Sequence, residues 1–257
     1  MSRILAEDLQ EIAVEAGALV LENGGETYRS EKTVVRVAKA LGAKDAYSFV
    51  TPTVVIFSWY NDCNQHFVNM KRILRRGTNL KKIAMVNTLA RELEWSGRTE
   101  EPQHLRDELR QIRESSSYPS WFVVAMAGLS SCMFTKMFGG SYVDGLHALV
   151  YGVLLRLLVM FLERVSMNGF IVTLVSGAFV SVLAEFSLIA LPFTVHKDVA
   201  MIGTLMQVVP GLALVNAIRD LIAGDLMAGA ARLLEALMIA AGLSTGAVTG
   251  MLLMRLF

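Results

Sequence analysis

The sequence predicts a membrane protein in two parts, a cytosolic α+β head followed by an α-helical bundle of five transmembrane helices. Three observations predict it. Of 257 residues, 54% are hydrophobic and only 18% charged, and the mean hydropathy is +0.48, too apolar for an ordinary soluble domain. The charge is concentrated early: Met1–Tyr118 carries 17 Lys and Arg with 16 Asp and Glu, whereas Pro119–Phe257 carries 7 of each sign. The second part also holds apolar stretches of about 20 residues, the length that crosses a bilayer. The predicted domains are therefore residues 1–118 and 119–257. A net charge of +1 gives no argument for a nucleic-acid partner.

The head is expected to stay in the cytosol, because Met1–Gln10 mixes Arg3, Glu7 and Asp8 among its apolar residues and lacks the apolar core of a secretory signal. Leu9–Glu22 places Leu9, Ile12, Ala13, Ala16, Leu19 and Val20 on one helical face. Asn23-Gly24-Gly25 is a helix stop. Thr27 then suits the cap of a second helix running to about Leu41, with Val34, Val37 and Leu41 inward. Ala46–Tyr60 is rich in β-branched and aromatic residues; Pro52 divides it into two short strands or bends one edge strand, and Gln65–Ile73 is a returning strand. Leu80–Trp95 is helical again, and Thr99–Ser117 is a charged helix read as a connector into the membrane. Six basic residues without an acid, Lys71, Arg72, Arg75, Arg76, Lys81 and Lys82, form either a solvated face or a contact with anionic headgroups.

The expected spans are 119–138, 143–162, 169–191, 199–218 and 227–256, joined by short connectors. Tyr118 and Trp121 stand at the start of the first, as interface aromatics do. Five crossings from a cytosolic head put the C-terminus outside. The fourth span is broken by Pro210-Gly211. Proline removes a backbone donor, and in lipid the freed groups need protein or a water-filled cavity, so the break is either a plain kink or a solute site. Ionisable residues are expensive inside spans. Arg156 and Glu185 lie deep in the second and third; Arg219 and Asp220 end the fourth, and Arg232 and Glu235 form a local pair at the start of the fifth. Gly242, Gly246 and Gly250 share one face of the fifth span and suit close helix packing or a backbone-lined conduit. Cys63, Cys132 and the four scattered histidines fit no metal or redox spacing, so neither a metal nor a cofactor is expected. No nucleophile elbow or paired catalytic constellation appears, so catalytic residues are not expected.

Two sets of residues carry a family resemblance. In the head they are the stretch from Glu15 to Arg29 (with Gly24, Gly25, Glu26 and Thr27), Phe49-Val-Thr-Pro-Thr53, Arg76, Asn79-Leu80-Lys81-Lys82 and Val86-Asn87. In the body they are Val209-Pro-Gly-Leu-Ala-Leu-Val-Asn-Ala-Ile-Arg-Asp220, Gly224-Asp225 and Gly229-Ala-Ala-Arg232. Together they resemble the threonine/serine exporter (ThrE-like) family; single-chain members join two membrane halves, and with five expected spans this chain looks like the larger, YjjP-type subunit of the split form. The resemblance implies a multi-pass subunit of a secondary exporter in the bacterial inner membrane, with a small YjjB-type integral-membrane partner or a homo-oligomer as the assembly. Its solute would be threonine or serine, with succinate-type dicarboxylates as the alternative. Substrate or coupling roles then fall to Arg156, Glu185, Gln207, Pro210, Gly211, Asn216, Arg219 and Asp220; Gly25, Glu26, Thr27, Arg29, Arg76 and Asn79 are the head candidates. The competing class is a membrane-anchored enzyme or a ligand-sensing module acting through the head.

Overall fold

The computed structural model describes residues 5–61, 63–96, 101–115, 118–190 and 196–256. Its elements are α1 (Ala6–Glu22), α2 (Thr27–Ala40), β1 (Asp45–Thr51), β2 (Val54–Tyr60), β3 (His66–Arg72), α3 (Leu80–Ser96), α4 (Pro102–Glu114), α5 (Ser120–Met137), α6 (Tyr142–Arg164), α7 (Gly169–Ala190), α8 (Lys197–Leu205), α9 (Gly211–Ile222) and α10 (Leu226–Arg255). They group into two units. One joins residues 1–117 to Leu212–Leu233, and the other joins Tyr118–Gly211 to Leu234–Phe257.

In the first unit, α1 is the centre of the core. Leu9, Ile12, Leu19, Val20 and Leu21 are all buried, together with Val34 and Val37 of α2 and Val50, Val55, Phe57 and Trp59 of the sheet. The sheet is a three-stranded antiparallel meander ordered β1-β2-β3, with Val50 opposite Val55 and Phe57 opposite Asn69. Pro52 and Thr53 form the β1–β2 turn, a place where proline costs no ladder bond. Gly17 sets the approach of α2 to α1. A Cβ there would lie 2.2 Å from Val34 Cγ2, and the Ser30 hydroxyl donates to the Gly17 carbonyl at 2.8 Å. Gly17→Leu is expected to force the two helices apart and unfold the unit, seen as loss of the cooperative thermal transition and of folded yield. Wild-type melting in that variant would show that the contact is dispensable.

Two expectations for the head change. Residues 102–114 are not a bare connector: Leu105, Leu109 and Ile112 form a buried stripe against α1. Spacings of four and three put them on one face, so a mostly charged helix still has an inward edge. The second helix is not capped by Thr27. Glu26 is the N-cap and makes no side-chain cap bond, and Thr27 is the first helical residue.

The span count also changes. Among the described residues three helices are long and apolar enough to cross a bilayer, Tyr142–Arg164, Gly169–Ser187 and Leu226–Arg255, rather than five. The apolar run 199–218 is not one helix: α8 ends at Leu205, residues 206–210 are non-helical, and α9 starts at Gly211. The expected end of the third span, Leu191, lies outside the described residues.

In the second unit, α7 and α10 approach through glycines on both sides. A Cβ on Gly177 would lie 2.3 Å from the Leu243 carbonyl oxygen, and one on Gly246 1.9 Å from that of Leu174. The corresponding distances are 2.5 Å from Gly250 to the Ala178 oxygen and 3.0 Å from Gly242 to the Phe170 oxygen. The face at 242, 246 and 250 is therefore occupied by α7 backbone, the small-residue packing that membrane helices use in place of a hydrophobic driving force. Hydroxyls in these helices bond back to the preceding turn, Ser176 to Val172 and Ser181 to Gly177.

Candidate functional site

The site is built on the α1–α2 turn. Asn23 ends α1, and Gly24 adopts φ +89°, a left-handed conformation that favours glycine. A Cβ on Gly25 would lie 2.8 Å from the Val20 carbonyl oxygen, so the chain passes too close there for any larger residue. The tight turn leaves the Gly24 and Gly25 carbonyls free to accept bonds from elsewhere.

Those bonds come from the α9–α10 pair. Asn216, Arg219 and Asp220 sit three and four apart on α9, on one helical face. Gly229 lets α10 close on α9, since a Cβ there would meet Leu221 Cγ at 2.6 Å and the Ala217 oxygen at 2.9 Å. Gly224, at φ +91°, makes the sharp turn between them, and the Asp225 carboxylate accepts from the Ala228 N–H at 3.3 Å.

Four side chains then engage the head turn. Asn216 Nδ2 donates to the Gly24 carbonyl at 2.9 Å, and an Arg232 guanidinium N–H donates to that of Gly25 at 2.7 Å. Arg219 donates to Glu26 Oε1 at 2.7 Å. Asp220 Oδ1 accepts from the Thr27 hydroxyl at 2.8 Å and from the Thr27 N–H at 3.3 Å. An aspartate remote in sequence thus takes the place of the missing side-chain cap on α2, where a helix N-terminus favours an anion. Arg232 Nε lies 3.2 Å from Asp220 Oδ2, an ion pair without hydrogen-bond alignment at those two atoms.

The network is buried where it matters. Thr27 and Asp220 are 0% exposed and Glu26 and Arg232 each 4%. Arg29 and Arg219 remain half-exposed, and both reach Glu26, at 3.2 and 2.7 Å. Burial works against the charged form of Glu26, but its own backbone N–H together with Arg219 and Arg29 outweighs it and holds the carboxyl below its ordinary range. Asp220 goes the other way: burial raises its carboxyl, only partly countered by Thr27 and Arg232. Burial also raises Glu31, whose carboxylate accepts from the Val50 N–H at 3.0 Å, and the nearby charges of Asp225 and Asp220 add to that rise.

The structure therefore merges two sets of candidates that the sequence kept apart. Gly25, Glu26, Thr27 and Arg29 of the head meet Asn216, Arg219 and Asp220, residues about 190 positions later in the chain. Arg232 joins them, engaging Asp220 and Gly25 where only a local pair with Glu235 was expected. Its sequence signal was membership of the Gly229-Ala-Ala-Arg232 motif. Asn79 marks the entry to α3, its side chain accepting from the Lys82 N–H at 3.1 Å, and Arg76 is exposed but engaged.

The remaining candidates lie in the second unit. Glu185 is held by Lys197 at 2.7 and 2.8 Å, a partner beyond its own helix. Arg156 is half-buried, and its Nε has no hydrogen-bond partner among the described residues. Gln207, in the break before Pro210, donates to the Ser131 hydroxyl at 2.7 Å and to the Gly152 carbonyl at 3.2 Å. Nothing lies within 4 Å of a Cβ placed on Gly211. Asp144 went unmarked in the sequence. It is fully buried, forms a capping box with Ser141, and also accepts from the His196 backbone N–H at 3.3 Å. The signal was Ser141 with an acid three residues on. Among the described residues no group of three or more His, Cys, Asp or Glu is placed to hold a metal.

The residues joined in this network are also those that carry the family resemblance. The family model described as "Putative threonine/serine exporter" (ThrE) matches residues 11–254. The chain belongs to the threonine/serine exporter family. Among curated relatives, the "Probable succinate transporter subunit YjjP" of Klebsiella aerogenes is 23% identical over 244 residues, covering 93% of this chain and 92% of that protein. The protein of the same description from Escherichia coli K12 is 25% identical over 231 residues, 86% and 85% of the two chains. A "Probable threonine/serine exporter" of Mycobacterium tuberculosis is 24% identical over 239 residues, 92% of this chain but 44% of that one. No solved structure gives a significant match. Exporter membership accounts for the apolar spanning helices, and the protein is a membrane transporter of this family.

Proposed function

We propose that this chain is one subunit of a secondary exporter of small carboxylate-bearing metabolites in the bacterial inner membrane, with its head in the cytoplasm. Threonine and serine are the solutes the family description favours; succinate is the alternative, and it is the solute named in the two relatives that match along most of their length. Both kinds carry a carboxylate, so one recognition chemistry serves either. A small integral-membrane partner completes the transporter, in keeping with the word "subunit" in those names.

The observation that carries the reading is the buried network from Thr27 and Glu26 to Arg219, Asp220 and Arg232. It ties the head turn to the helix pair that begins the 30-residue apolar helix α10. A head joined in this way to the first turns of α10 suits gating or assembly of a transporter better than independent catalysis. In the second unit, the interruption at 206–210 beside Gln207 is the kind of broken helix at which transporters bind solutes, with Arg156 for a carboxylate and Glu185 for the coupling proton.

Inverted vesicles bearing the chain and its membrane partner test this. Labelled threonine, serine and succinate are offered separately, with an imposed proton gradient. Uptake of one of them above empty vesicles is expected, falling at least about tenfold in Arg156→Ala, since removing a charge-assisted bond costs roughly 1.5–3 kcal/mol. Glu185→Gln is expected to uncouple uptake from the gradient. Uptake unchanged in both variants would remove these residues from the mechanism, and uptake of none of the solutes would remove the exporter reading.

A further inference from the structure

The sheet of the head has an outer face that no described element of the first unit covers. Its residues follow from the register: Tyr47 and Phe49 of β1, Ile56 of β2, and Val68, Met70 and Arg72 of β3 alternate away from the buried Val50, Val55 and Phe57. An antiparallel sheet with one wet face normally turns polar residues outward. Here Phe49 is 50% exposed and Met70 65%, and Leu74 just beyond the strand is 82% exposed.

The charge beside this patch has one sign. Of the six basic residues between 71 and 82, Lys71 pairs with Glu15 and Lys82 donates to the Arg113 carbonyl. Arg72 and Arg75 are exposed and carry no ion pair among the described residues. The one acid on the outer face, Asp45, stands at the opposite end of β1 from the row Thr51, Val54 and Arg72.

The arginine end is also the end next to the helix pair. Val50, one residue from the end of β1, donates to Glu31 of α2, the helix whose first residue holds Asp220. The loop after β3 runs along the turn that receives Asn216 and Arg232, with the Gly77 N–H donating to the Glu22 carbonyl at 2.8 Å and that of Asn79 to Asn23 at 3.0 Å. Six residues beyond Asp220 begins α10, a helix long and apolar enough to cross a bilayer.

We propose that this end of the sheet, with Phe49, Met70 and Leu74 immersed and Arg72 and Arg75 on phosphates, rests on the anionic cytoplasmic face of the bilayer. Exposed apolar side chains beside unpaired cations are what an interfacial surface requires. The proposal rests on α10 entering the bilayer beyond Arg232, the last of its residues engaged with the head turn, and is independent of which solute is carried.

Spin labels on the full chain test it. In a Cys63→Ser, Cys132→Ser background, Met70→Cys, Leu74→Cys and Asp45→Cys are labelled singly. Each is placed in nanodiscs of phosphatidylcholine with or without phosphatidylglycerol. With phosphatidylglycerol, labels at 70 and 74 are expected to be open to oxygen, shielded from a water-soluble nickel reagent, and about 5–10 Å below the phosphates. The label at 45 stays in water and reports that the head is folded. Each arginine is worth a roughly fivefold change in occupancy at such a surface, so Arg72→Gln with Arg75→Gln should lower the immersed population roughly thirtyfold. Labels at 70 and 74 open to nickel in anionic nanodiscs would overturn the proposal. So would shielding from both reagents, the mark of a protein partner, or dipolar coupling between labels, the mark of a second copy. A label at 74 indifferent to the double substitution would refute the role of the arginines.

Discussion

Asp220→Ala is expected to be the most damaging single substitution in the buried network around Thr27. It removes the acceptor of both Thr27 bonds and leaves Arg232, only 4% exposed, beside an empty position. Breaking a buried ion pair from one side costs about 3–5 kcal/mol, because the remaining charge keeps its desolvation penalty. Against a total stability of about 5–15 kcal/mol, that loss is expected to loosen the head turn and abolish export. Limited proteolysis of the full chain in membranes should show new cleavage near 23–27, with export measured in parallel. Thr27→Val should cost far less, about 1 kcal/mol, since it removes one hydroxyl bond and leaves the charges paired. Asp220→Leu combined with Arg232→Met should be milder than Asp220→Ala alone, because the two charges leave together. A double variant as damaged as the sum of its parts would show that the residues act independently.

The second large effect is expected at Gly246. A single methyl there would sit 1.9 Å from the Leu174 carbonyl oxygen, a backbone atom that cannot swing aside as a side chain can. Gly246→Val must therefore push α7 and α10 apart along a seam shared with Gly177, Gly242 and Gly250. Separation forfeits close backbone packing over the whole seam, and in lipid no hydrophobic gain restores it. Folded yield in detergent and export are both expected to collapse. Gly211→Ala is the control: open space surrounds that position, and a near-normal yield is expected. Full activity in Gly246→Val would mean that the two helices separate during normal operation.

Much of the architecture is legible in the residues because it depends on local pattern. The β-branched and aromatic run of 46–60, the helical face of α1 and the stop at Asn23-Gly24-Gly25 need no distant partner to be recognised. The break in the run 199–218 is equally local, since proline and glycine act on their own backbone. Hydropathy overstates the span count at 199–218 because it does not require that an apolar stretch be one helix, and α8 and α9 are both short. At 119–138 the stretch is one helix, α5, but only 18 residues long with Ser120, Ser130, Ser131 and Lys136 in it. The stripe on α4 was hidden because three apolar residues among many charges leave average composition polar.

The candidate site divides in the same way. The residue types at the head turn and along α9, and the motifs that place the chain in its family, are legible from the order of residues alone. That order does not show that these are one site. Thr27 and Asp220 are separated by 193 residues, and a lone buried threonine or aspartate has no periodicity that names its partner. That Asp220, and no described residue of the head, caps α2, and that Arg232 turns to Asp220, follows from how the elements pack. The reason is energetic: a buried charge must find its counter-charge wherever packing offers one, and the close approach of α9 and α10 at Gly229 delivers both to the same turn.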